Sequence, residues 1–116
     1  MADDFARLLA TPISDICISA ITEGELRYGL AKRPEAVQLA RAVGDFLLRI
    51  DILPWGSLAA EHYGRLRATL EAAGAPLGNL DTLIAAHALG EDVILVTSDK
   101  AFARAPGLAV VDWMAP

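Results

Sequence analysis

Apolar residues fall along this chain in two rhythms, and each rhythm predicts a different element. Short unbroken blocks, partly β-branched, recur as ICISA at residues 16–20, VILV at 93–96 and LAVV at 108–111. They are too short for helices and read as buried strands. IDIL at residues 50–53, closed by Pro54-Trp55-Gly56, is a further strand candidate. Between these blocks the apolar spacing lengthens to three and four. In residues 35–49, Val37, Ala40, Val43, Phe46 and Leu47 form one stripe of an amphipathic helix. Thr22 opens a helix to about Lys32, with Pro34 enforcing the stop. Ser57 caps a long helix to Ala73 that Gly74 ends, and Asn79 caps residues 80–89, stopped by Gly90. A helical turn covers residues 99–104 before Pro106-Gly107, and residues 4–10 form a short helical piece ended by Thr11-Pro12.

Strands that are apolar throughout and alternate with helices predict an α/β fold, a parallel sheet covered on both faces. In such sheets, sites form beyond the carboxyl ends of the strands. Glu25 follows the first strand and Asp99 the third, while Asp81 sits in the first turn of the helix leading into that third strand.

Composition narrows the class. At 116 residues the chain is read as one domain, and 54% hydrophobic residues exclude disorder. No apolar run approaches the roughly 18 residues needed to span a bilayer. The start, MADDFARLLA, lacks the basic and apolar regions of a signal peptide. The single cysteine, Cys17, lies in an apolar run and reads as a buried thiol in a reducing compartment, so a cytoplasmic location is expected. A net charge of −5 argues against binding nucleic acid through a broad basic surface. It fits acids that collect a metal ion, or a basic partner.

Each acid has an ordinary reading when taken singly. Thr22 and Glu25 match a capping box, Asp81 faces the positive end of a helix dipole, and Asp99 can cap the turn that follows it. Converging from three elements, they would repel one another unless a divalent cation lay between them. Carboxylates with room for water are what Mg²⁺ or Mn²⁺ prefers, and such ions serve phosphoryl chemistry. Lys100, Arg104 and Arg27 are candidates to hold a nucleic-acid backbone, with a solvated basic face as the alternative. His87, inside LIAAHAL, reads as a hydrogen-bonded helix residue. Trp55, Trp113 and Phe46 read as core or interface aromatics.

The segments ISAITEGELRYGLAKRP, PLGNLDTLIAAHALGEDVILVTSDKAFARAPGL and VVDW together resemble the VapC-type toxins of the PIN-domain family. The likeness runs from about Asp4 to Trp113. It implies a three-layer α/β sandwich with a central parallel sheet and Mg²⁺-dependent endoribonuclease activity, some relatives cutting transfer RNA. It also implies a homodimer neutralised by a small VapB-like antitoxin, with operator DNA bound only through that antitoxin. By resemblance Glu25, Asp81 and Asp99 are the metal-ligating and catalytic acids, Thr97 is the catalytic-site hydroxyl residue that supports them, and Thr22 matches the hydroxyl residue that opens the helix of the EL motif. The apolar faces of residues 35–49 and 57–73 are candidate dimer surfaces, or intramolecular core.

One departure stands out. Family members begin with a strand whose aspartate ligates the metal, and here Met1 leads directly into the segment expected after it. Asp3 and Asp4 lie in a helical stretch and do not replace that acid. The expectation is a domain truncated at its N-terminus, its first strand absent, with a rearranged sheet edge or strand exchange between chains. The rival expectation is a catalytically inactive PIN remnant that binds an antitoxin.

Overall fold

The computed structural model describes residues 16–112. The helical piece expected at residues 4–10, with Asp3, Asp4 and Trp113, lies outside them. The described residues fall into two compact units, 16–54 and 55–112.

In the first unit, β1 (Cys17–Ser19) runs into α1 (Ala20–Ala31), followed by α2 (Val37–Arg49) and β2 (Asp51–Leu53). β1 and β2 pair in parallel, Cys17 opposite Asp51 and Ser19 opposite Leu53. Helix α1 begins two residues before Thr22. Ser19 leaves the strand with extended backbone and its hydroxyl accepts the Ile21 N–H at 3.1 Å, so Ser19 is the cap and Thr22 lies inside the helix. The expected capping box between Thr22 and Glu25 is therefore not formed. α2 buries Leu47 and half-buries Val43 and Phe46, while Val37, Leu39 and Leu48 remain exposed. Cys17 is half-buried in β1.

In the second unit, α3 (Ser57–Ala72) packs on α4 (Asn79–Glu91), followed by β3 (Leu95–Val96), a 3₁₀ helix (Lys100–Arg104) and β4 (Val110–Val111). Leu66 and Leu70 of α3 share a core with Ala85 and Ala86 of α4 and with Phe102 and Ala105. The apolar face of α3 is thus intramolecular core. Trp55 closes its edge: the indole N–H donates to the Leu83 carbonyl at 3.0 Å and the ring meets Tyr63 edge-on.

Among the ends of α3 and α4, one agrees with expectation and three differ. Gly74, at φ +68°, ends α3 as its sequence position implies. Gly90, expected as a stop, lies inside α4; the turn to the left-handed region falls on Asp92 at φ 54°. Gly90 instead marks a close approach of the two helices. Gly56 and Gly78 are the N-caps of α3 and α4, so Ser57 and Asn79 are first helical residues and not caps.

The parallel pairing expected of an α/β fold is present as two two-stranded ladders. β3 pairs with β4, Leu95 opposite Val110 and Val96 opposite Val111, flanked by bonds from Leu95 N–H to Ala109 and from Thr97 N–H to Val111. The VILV block is shorter as a strand than as an apolar run, and it is not buried on both faces: Ile94 is 61% exposed and Val96 44%. No helix among the described residues is long and apolar enough to cross a membrane.

Candidate functional site

The second unit carries Asp81, Asp99 and Thr97, and the chain positions each of them locally. Asp81 is the third residue of α4 and half-buried. Its neighbour Thr82 is 4% exposed and donates its hydroxyl to the Gly78 carbonyl at 2.8 Å, the same carbonyl that accepts the Thr82 N–H at 2.9 Å. This doubled bond fixes the turn from which Asp81 projects. A carboxylate there also lies at the positive end of the helix dipole.

Asp99 is held on both sides. Its N–H donates to the Thr97 hydroxyl at 3.1 Å, and its own Oδ1 accepts the Ala101 N–H at 2.9 Å, capping the 3₁₀ helix. The capping role read for Asp99 is thus realised, and Thr97 supports it directly. Thr97 itself comes off β3, so the strand end orients the acid through one hydroxyl.

Asp81 and Asp99 sit on elements that share a core. Three residues past Asp99, Phe102 is buried among Ala85 and Ala86 of α4. Asp81 precedes Ala85 by four positions, on the same helix face. A longer link also exists: the Arg104 guanidinium donates to the Pro76 carbonyl at 3.1 Å, joining the 3₁₀ helix to the loop that enters α4. No periodicity in the sequence announces that contact, since its partners are 28 residues apart. Thr82 was likewise missed, because a threonine within an apolar run reads as filler.

The remaining candidates sit as follows. Lys100 is exposed beside Asp99. His87 is buried, 3% exposed, within α4. Glu25 belongs to the first unit, exposed on α1. On the same helix Arg27 is engaged by Glu23, Nη2 to Oε2 at 2.8 Å. Also in the second unit, Arg67 of α3 binds Glu71 at 2.9 Å and the Tyr63 hydroxyl at 2.9 Å. Glu71 first, then Tyr63, raises the Arg67 guanidinium above its ordinary value.

By donor chemistry, Asp81 and Asp99 suit a hard cation, which takes carboxylate oxygens and keeps much of its water. Among the described residues, no group of three His, Cys, Asp or Glu side chains is placed to hold an ion.

The family model for the PIN domain matches residues 1–108. This chain belongs to the PIN-domain family. Among its relatives, ribonuclease VapC2 of Rickettsia felis is 39% identical over 99 residues, covering 84% of this chain and 74% of that relative. The tRNA(fMet)-specific endonuclease VapC of Shigella flexneri is 38% identical over 99 residues, covering 84% of this chain and 75% of that protein. This PIN domain also superposes on VapBC-1 from nontypeable Haemophilus influenzae with a TM-score of 0.85, at 31% identity, covering 97% of this chain and 86% of that one. VapBC2 from Rickettsia felis, solved bound to a DNA fragment from its promoter, gives a TM-score of 0.80 at 39% identity, covering 84% of this chain and 74% of that one.

Proposed function

We propose that this PIN domain is the endoribonuclease toxin of a type II toxin–antitoxin pair, using Mg²⁺ or Mn²⁺ to hydrolyse RNA phosphodiester bonds. One observation carries the reading. Asp99, set by Thr97 and its own cap, and Asp81, set by the Thr82 turn, project from elements locked to one core. Both acids thereby keep fixed positions without engaging a basic side chain in the contacts described. Ribonuclease and endonuclease names among relatives at 38–39% identity support the same chemistry.

Asp81 and Asp99 would hold the ion, which when bound supplies Lewis acidity toward the phosphodiester. Lys100, exposed beside Asp99, steadies the RNA backbone as a point charge. Transfer RNA is the substrate class suggested by the relatives named for it. The partner is a VapB-like antitoxin, with operator DNA reached through it, as the likeness to VapBC complexes supports. A homodimer is the expected assembly.

The test is cleavage of total RNA by the purified chain with and without EDTA, beside Asp81→Asn and Glu25→Gln. Cleavage abolished by EDTA and by Asp81→Asn is expected. Cleavage that survives both rejects the metal mechanism. A second reading, an impaired domain that serves as an antitoxin-binding module, is supported by the likeness to VapBC complexes alone. It predicts antitoxin binding without EDTA-sensitive cleavage.

A further inference from the structure

Arg104 looks at first like an RNA contact, a basic side chain near a candidate acid. Its geometry gives it another task. The 3₁₀ helix that carries it is the one Asp99 caps, and its guanidinium reaches the Pro76 carbonyl, two residues before the Gly78 N-cap of the helix that carries Asp81. Buried Phe102 and Ala105 anchor one side of the 3₁₀ helix against α4. Arg104 ties its exposed side to the loop. Two attachments on different sides fix rotation as well as distance, which a single hydrophobic contact does not.

We infer that Arg104 is a positioning residue, a tether from the Asp99 element to the loop preceding Asp81 that sets how the two carboxylates stand to each other. The inference rests on the ribonuclease reading for its catalytic consequence, though not for the tether itself. A guanidinium suits the role, because its charge strengthens the bond to a carbonyl and its planar fork restricts the approach. Lysine, a flexible point charge, restores the attraction without the fixed geometry.

The experiment compares wild type, Arg104→Ala and Arg104→Lys as full chains, with three readouts. Mn²⁺ affinity by calorimetry is expected to fall about 10-fold in Arg104→Ala, at the low end of losses seen when a group that orients metal ligands is removed. Arg104→Lys should recover part of it. For RNA cleavage, kcat falls while KM stays unchanged. Amide exchange at Thr82 and Ala101 should quicken in Arg104→Ala, since those amides report the first turn of α4 and the Asp99 cap. A raised KM with Mn²⁺ affinity and exchange unaltered overturns the tether in favour of an RNA contact. If the wild type neither binds Mn²⁺ nor cleaves RNA, the ribonuclease reading fails by itself. Exchange then decides the tether alone: quickened exchange upholds it and unchanged exchange overturns it.

Discussion

Gly90 of α4 lies directly over His62 of α3: a Cβ at position 90 would stand 3.3 Å from the His62 Cδ2 and 3.4 Å from the Leu58 Cγ. Two opposed effects meet there. Alanine gains about 1 kcal/mol over glycine in a helix, while the crowding asks His62 and Leu58 to give way by a few tenths of an ångström. Leu58 is exposed and His62 half-buried, so both can yield to one methyl group. Gly90→Ala should therefore leave stability nearly unchanged. Gly90→Val adds bulk that cannot be absorbed and should cost about 1–3 kcal/mol. Urea denaturation of both variants checks this. A valine variant as stable as wild type would mean that the helices do not meet at Gly90.

Leucines on α3 and α2 should respond very differently to truncation. Leu70 of α3 is 3% exposed and sits in the core with Ala85 and Phe102, whereas Leu48 of α2 is 86% exposed. Leu70→Ala should lose about 2–5 kcal/mol through lost burial and the cavity left behind. Leu48→Ala should stay within about 0.5 kcal/mol. Similar losses at both sites would show that Leu48 is covered in solution, which a shift of its effect with protein concentration would attribute to self-association.

Much of this fold could be read in the sequence because its elements advertise themselves locally. ICISA, VILV and the 37-40-43-46-47 stripe each place an element within a few residues of where it lies. What failed was set by a neighbour distant in sequence or, at the start of α1, by a competing local cap. VILV looked buried on both faces, yet a short run cannot reveal what covers it, and Ile94 is largely exposed. Thr22 looked like a cap because its spacing to Glu25 was right, but Ser19 at the strand end captured the helix start. Gly90 looked like a stop, although the tight approach of α3 is what glycine serves there. At the candidate site, Asp81 and Asp99 were legible from their places at helix starts. The contact of Arg104 with Pro76 was not, because it depends on how two loops pack.

Asp92 ends α4 at φ 54°, a conformation that glycine adopts freely and aspartate only tolerably. Its charge also sits at the negative end of the helix dipole. Both effects oppose the native residue, so Asp92→Gly should stabilise the chain by roughly 0.5–1 kcal/mol. For a domain of this size that is a rise in Tm of a few degrees. Asp92→Asn removes only the charge and should recover a smaller part. A Tm lowered by Asp92→Gly would locate a native contact of Asp92 that outweighs both effects.

Asp99 combines a structural and a chemical role, and two substitutions separate them. The cap needs only an oxygen that accepts the Ala101 N–H at 2.9 Å. Asparagine keeps that oxygen and removes the negative charge; alanine removes both. Asp99→Ala should therefore lose about 0.5–2 kcal/mol of stability, the usual effect of deleting an N-cap side chain. Asp99→Asn should unfold at nearly the wild-type denaturant concentration. If Asp99 holds a cation, however, Asn and Ala should weaken Mn²⁺ binding alike, because a neutral amide oxygen replaces a charged ligand poorly. Calorimetric titration beside urea denaturation reads both roles in the same three proteins. Mn²⁺ affinity that follows stability, lost in Asp99→Ala and kept in Asp99→Asn, would leave Asp99 as a cap alone and remove it from the candidate site.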